Sequence, residues 1–229
     1  MSRLSPRWED PRTVAGFTTG TPNLVLLEFA RRRLDHARPQ RCLDLGCGAA
    51  RNAVALAETG YRVVGTDLSA PMLAAAQQRV RSAPAPLLTT IDLVRAPMTP
   101  LPFRSGAFDL IVAHGIWNLA RSGAEFRAAL AEGARVAAPG AGLFLFTFSR
   151  HTLPPDAAPD PGESFVFSSW NGEPQCFLTD VELVAELARA GFAPDPPGPL
   201  SEYNVRKPGD LAAPGPPVIY EGTFVRQAG

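Results

Sequence analysis

Residues 43–52 read Leu-Asp-Leu-Gly-Cys-Gly-Ala-Ala-Arg-Asn, a short apolar run entering a glycine turn that opens a helix. Gly46 and Gly48 let the backbone turn sharply and let a ligand lie against it without Cβ clashes. About twenty residues on, Asp67 ends the run RVVGTD, where a carboxylate can accept hydrogen bonds from both hydroxyls of a ribose. These features suit either a dinucleotide or an adenosyl ligand. A dinucleotide turn wants a third glycine three residues after the second, and Arg51 stands there. Asp44 precedes the first glycine by two residues, near where a pyrophosphate would already bring negative charge. A carboxylate there is better matched to a cationic ligand, whose ammonium it attracts directly or through water.

A second group of polar residues follows an apolar strand pattern, FDLIVA. His114 comes directly after it, at the end of a strand where open α/β sheets bind ligands. Its pKa range suits a general base for a hydroxyl or amine, and a loop histidine bonded to backbone is the competing reading. Trp117 and Asn118 share its loop and are candidates for the substrate pocket or the core. His151, after the next strand, is a candidate for the same side, and Trp170 is another. His36 and the scattered arginines read as surface. Met98 reads as packing or as a contact at the ligand's edge. Before the first strand, Trp8, Val14 and Phe17 could form a lid or a satellite apolar cluster. Cys42, Cys47 and Cys176 are too few and too irregular for a disulfide scaffold or a zinc site, so no metal is expected, and they point to a reducing cytoplasm. Cys47 reads as a small packing residue rather than a nucleophile.

The elements that must hold these residues are legible from where prolines are missing. Between Arg41 and Ala83 there is only Pro71, and between Phe103 and Leu153 only Pro139. The first block reads as strand 41–45, helix 51–58 stopped by Gly60, strand 62–67, and a helix capped by Ser69. Residues 91–95 form a weaker strand and 108–113 a strong one, followed by a helix over about 124–137, a stop at Pro139-Gly140, and a strand over 143–148. A further helix begins near Asn23. Strands alternating with helices imply a parallel sheet covered on both faces.

The last third differs. It holds thirteen prolines after Leu153, including the pairs 154–155, 196–197 and 216–217. Thr179 and Glu182 make a capping box for a helix that Gly191 ends. Residues 200–206 and 218–226 read as an antiparallel strand pair at the sheet edge, joined by a Gly/Pro-rich connection. Residues 154–176 lack periodicity but carry aromatics, as a lid or a packed loop would.

The chain has 229 residues with 22 basic and 22 acidic side chains, one domain's worth with room for insertions. Balanced charge supplies no broad basic field for nucleic acid or anionic lipid, so a small-molecule partner is favoured. Neither an apolar leader nor a stretch of about 18 apolar residues is present, and a soluble, unexported protein is expected.

Taken in order, these segments resemble the class I S-adenosylmethionine-dependent methyltransferases. The first motif is Asp44, Gly46 and Gly48, with Ala50 where that family often has a further glycine. The resemblance continues through RVVGTDLS, LPFRSGAFDLIVAHG and RVAAPGAGLFLF, over about residues 40–150, with Thr179 to Phe192 as a last helix. It implies a Rossmann-like, doubly wound, seven-stranded and mostly parallel sheet whose last part is antiparallel. An N-terminal lid and helix (1–39) would precede a methyltransferase domain (40–229), with 150–178 an insertion near the substrate. The cofactor implied is S-adenosylmethionine, held by Asp44, Gly46, Gly48, Asp67, Leu68 and Met98. Phe17, Trp117, Asn118, His151 and Trp170 would shape the acceptor pocket, and His114 would serve as base for a hydroxyl acceptor, whereas an acceptor already deprotonated, such as a thiolate, would need none. The family's acidic residue before the LPF stretch is missing. Ala96-Pro97-Met98 stands there, and Asp92 lies earlier in its strand. The resemblance implies in-line attack of a small acceptor on the sulfonium methyl. The rivals are a nucleic-acid methyltransferase, a cofactor-binding protein without catalysis, and a nicotinamide oxidoreductase.

Overall fold

A computed structural model describes residues 5–195, 200–205 and 216–227. The Pro196-Pro197 pair, Arg206, most of the connection between the last two strands and the first four residues of the N-terminal segment lie outside that range. The strands are β1 (Arg41–Leu45), β2 (Arg62–Asp67), β3 (Ile91–Arg95), β4 (Phe108–His114), β5 (Ala137–Phe148), β6 (Val166–Phe167), β7 (Gln175–Cys176), β8 (Phe192–Pro194), β9 (Ser201–Tyr203) and β10 (Ile219–Arg226). The helices are α1 (Pro11–Thr19), α2 (Leu24–Arg33), α3 (Arg51–Thr59), α4 (Ala70–Arg81), α5 (Gly123–Val136) and α6 (Asp180–Arg189).

The main sheet runs β3-β2-β1-β4-β5-β10-β8, with β9 added beside β10. Pairings from β3 to β5 are parallel, and those of β10 with β5, β8 and β9 are antiparallel. The main path thus has the expected seven strands, and short β9 makes an eighth. Alternation along the strands sorts the core into two layers. Cys42, Leu110, Val112 and Phe144 face α2, α3 and α4, while Leu43, Ile111, Leu143 and Leu145 face α5 and α6. Each fully buried side chain of this kind contributes about 1.5–3 kcal/mol.

Two boundaries differ from expectation. β5 starts at Ala137 directly after α5, and Pro139-Gly140 sits inside it. Phe108 lies opposite Ala137 but Leu110 opposite Gly142, so residues 138–141 bulge out of the ladder, with Gly140 at φ +76°. The glycine and proline interrupt the pairing without ending the strand. Residues 154–176 fold as a loop that closes on the β6–β7 hairpin. Phe165 joins the main core against Phe126 of α5, while Leu153, Phe167 and Phe177 form a small core with Phe148 and Trp170 against it.

The strand order reverses between β1 and β4, which opens a crevice at the carboxyl ends of those strands. The N-terminal segment lies across it. Asp10 caps α1 by accepting from the amides of Arg12 (2.9 Å) and Thr13 (3.1 Å), and Ser69 Oγ donates to the carbonyl of Trp8 (2.8 Å). No helix among the described residues is long and apolar enough to cross a membrane.

Candidate active site

The glycine turn needs three left-handed residues in a row of five: Gly46 at φ +64°, Gly48 at +53° and Ala50 at +59°. A side chain on Gly46 would meet Ile116 Cδ1 at 2.7 Å, and one on Gly48 would meet Phe17 Cδ1 at 3.0 Å. Cys47 beneath the turn has its thiol next to Gly65 of β2, where a Cβ would come within 2.9 Å of Sγ. Burial pushes the Cys47 thiol well up, as expected of a packing residue. Among the described residues, no cluster of three or more His, Cys, Asp or Glu could hold a metal.

Two carboxylates flank the turn. Asp67, at the end of β2, accepts from the amide of Gly48 (2.9 Å, Oδ2) and from that of Ser69 (2.8 Å, Oδ1). Those two bonds fix the carboxylate's plane, and each oxygen keeps a lone pair. Burial raises its pKa, and the amide hydrogen bonds oppose that rise. Asp44, in the middle of the sheet on β1, is only 1% exposed, and its Oδ2 has no partner. Desolvation lifts its pKa to about 7, the Arg51 charge working against the rise and the Asp67 charge with it. Asp44 does not itself line the cavity above the turn, and its orphaned, buried oxygen beside glycines with no room for a side chain fits a ligand whose positive group it meets directly or through water.

Above the turn is a cavity of about 350 Å³. Gly46, Gly48, Asp67 and Leu68 line its floor, with Ala96, Pro97 and Met98 at one edge. Trp8 and Phe17 line it from the N-terminal segment, their rings edge to face at 5.8 Å. Val14 is not in the lining. His114 comes from the end of β4, Ile116, Asn118 and Leu119 from the loop after it, Phe146 and Phe148 from β5, and Glu173, Pro174 and Gln175 from the insertion.

His114 lies flat on Phe146, with ring centroids 4.1 Å apart and planes 9° apart. Arg51 Nη2 sits 3.4 Å from its Nε2 and 3.5 Å from its Nδ1. Burial, and then the Arg51 charge, lower the imidazole's pKa to about 4, so the ring is neutral around pH 7. Arg51 itself is anchored by donating to the carbonyl of Thr21 (3.1 Å). It lines the site and is not one of the surface arginines. Its position in the first turn of α3 was the available signal.

Three expected pocket residues lie elsewhere. Trp117 is a core residue, packed on α5 where Gly133 leaves room: a Cβ there would meet Trp117 Cζ2 at 2.9 Å. Its neighbour Asn118 faces the cavity instead, because the short turn over 117–119 puts consecutive residues on different sides. His151 is exposed and joins Glu202 through Nδ1 (2.7 Å), while Ser149 Oγ donates to the same oxygen (2.6 Å). That cluster fastens β9 to the turn after β5 at a separate recess. Trp170 packs on Phe177, with centroids 6.5 Å apart, outside the cavity. Sequence reasoning missed Ile116, Phe146, Phe148, Glu173 and Gln175. The last two sit in an aperiodic segment where no local signal marks them.

Residues 43–145 match the family model of a methyltransferase domain. A demethylmenaquinone methyltransferase of Corynebacterium urealyticum is 35% identical over 169 residues, 67% of this chain and 67% of that protein. Across the first curated relatives the matched stretch spans about half to two thirds of their length. A SAM-dependent methyltransferase from Methanosarcina mazei has a similar structure, with TM-score 0.67 and 20% identity, covering 92% of this chain and 100% of that one. The 1,6-didemethyltoxoflavin-N1-methyltransferase of Burkholderia thailandensis, solved with bound 1,6-didemethyltoxoflavin and S-adenosylhomocysteine, aligns with TM-score 0.64 and 20% identity over 100% and 93% of the two chains.

Proposed function

The chain belongs to the class I S-adenosylmethionine-dependent methyltransferases, and from that premise we propose that it methylates a small, flat, largely apolar acceptor. The observation that carries the reading is the pair of carboxylates around the glycine turn, one with two oriented oxygens and one with an unpartnered oxygen. Asp67 would hold the ribose hydroxyls, Leu68, Ala96 and Met98 the adenine, and Asp44 the ammonium. Without an acidic side chain at Pro97, backbone groups and packing serve the adenine edge. When bound, the donor supplies a methyl already activated by a positive sulfur.

The chain's own contribution is alignment and exclusion of water. Trp8 and Phe17 cover the turn, and Phe146, Phe148, Ile116 and Leu119 offer an apolar surface for a planar ring. His114 faces this space as a neutral imidazole. Its one unprotonated nitrogen can accept a hydrogen bond from an acceptor hydroxyl when Arg51 Nη2, within 3.5 Å of both ring nitrogens, gives up that position, and the Arg51 charge opposes a stable imidazolium. Its proposed role is therefore a transient base or hydrogen-bond acceptor at the reacting atom. The relatives named for demethylmenaquinone make a naphthoquinol-type ring the first acceptor to test.

Calorimetry with S-adenosylhomocysteine and with NAD tests the cofactor assignment. Saturable binding of the first and none of the second is expected, and the reverse pattern would overturn it. Turnover of 1,4-dihydroxynaphthalene with the methyl donor tests the acceptor class, and no methylated product would reject it.

A further inference from the structure

Two side chains on the acceptor side of the cavity are left unsatisfied. Asn118 is 1% exposed and Gln175 is 3% exposed, and both line the cavity. The amide oxygen of each, Oδ1 of Asn118 and Oε1 of Gln175, is buried without a hydrogen-bond partner. They come from segments far apart in sequence that meet here. β7 packs on the turn over 117–119, and the Cys176 thiol reaches the carbonyl of Ala120 at 3.3 Å. Leaving a buried amide oxygen unpaired is destabilising, because its bond to water is given up and nothing replaces it. A core position with no polar task would favour an apolar residue of the same size.

Building on the methyltransferase reading, we infer that Asn118 and Gln175 form a two-amide clamp that selects an acceptor ring carrying a hydroxyl. A hydroxyl both donates and accepts, so it can give its proton to one amide oxygen and take a hydrogen bond from the other amide's NH₂. Terminal amide torsions are broad and roughly two-fold, and no hydrogen bond to either oxygen resists its turning into the cavity. A carboxylate would meet only half of this, since it has no proton to donate, and a ring ether lacks the donor as well. The clamp also joins the insertion to the loop after β4. Recognition of the acceptor thereby depends on how residues 150–178 are folded.

The test uses the full chain saturated with S-adenosylhomocysteine, with 1-naphthol and 1-methoxynaphthalene as probes in calorimetry. About tenfold tighter binding of the naphthol is expected, the worth of one hydrogen bond. Of Asn118→Leu and Gln175→Met, the one that removes the accepting oxygen should abolish that preference and the one that removes the donating NH₂ should weaken both probes alike, each leaving the affinity for S-adenosylhomocysteine and the thermal midpoint at or above wild type. Equal binding of the two probes by wild type, or no binding of the naphthol, would overturn the clamp. So would a preference that survives in both variants, or an equal loss of both probes in both variants. Failure of S-adenosylhomocysteine itself to bind would instead reject the cofactor assignment.

Discussion

Asp67 and Asp44 sit in unlike surroundings, and each gives a distinct expectation. Asp67→Ala removes a carboxylate held by two amides, and hydrogen bonds to a charged group are worth about 1.5–3 kcal/mol. S-adenosylhomocysteine binding should weaken about tenfold to a hundredfold. Unchanged affinity in calorimetry would reject the ribose role. Asp44, lifted to about 7, is largely protonated in the free protein at pH 6. An ammonium favours its ionised form, so binding should release a proton there. Affinity should rise between pH 6 and 8, and Asp44→Asn should flatten that rise. Calorimetry in buffers of different ionisation enthalpy reads the proton directly. Melting is a poorer readout. The raised pKa of Asp44 withdraws stability as pH rises from about 4 to 7, whereas the depressed pKa of His114 withdraws it as pH falls from about 6.5 to 4. The two windows overlap and oppose.

At the level of elements, the turn and the N-terminal segment are coupled. Gly46→Ala forces a side chain into the left-handed region and against Ile116, at a cost of about 1–3 kcal/mol. The thermal midpoint should drop and nucleoside binding should be lost, since Ile116 lines the cavity and would be displaced by the new methyl. Ser69 joins two elements through one hydroxyl, accepting from the amide of Met72 (3.2 Å) at the start of α4 and donating to the carbonyl of Trp8. Ser69→Ala should lower stability by about 1 kcal/mol through the lost cap. It should also speed amide exchange in α1 more than in α6, and equal exchange in both would reject the tie. The elements themselves were legible because their causes are local. Thr179 and Glu182 form the capping box read from their spacing, and Ser69 caps α4 as its place before an apolar-periodic run implied. β5 was less so. Its bulge depends on how β4 pairs with it, which no window of sequence contains.

Over the whole molecule, 22 basic and 22 acidic residues leave the formal charge at zero. Duplex DNA should therefore show no retardation by the protein at about 150 mM salt, where the Debye length is about 8 Å. A mobility shift under those conditions would reopen the nucleic-acid reading.

By itself the sequence determined the sheet's parallel core, its glycine turn and the two carboxylates beside it. Those features follow from short-range periodicity, caps and backbone freedom within some thirty residues of one another. Tertiary structure alone decided which side chains of the later loops face the cavity. Arg51 turned inward onto His114, Trp117 went to the core while Asn118 faced the cavity, and Gln175 arrived from an insertion without periodicity. The physical reason is that the glycine turn and its carboxylates lie within consecutive strand-turn-helix units, whereas the rest of the cavity wall is assembled from loops distant in sequence. Their facing residues are chosen by which side chains the shared core can accept.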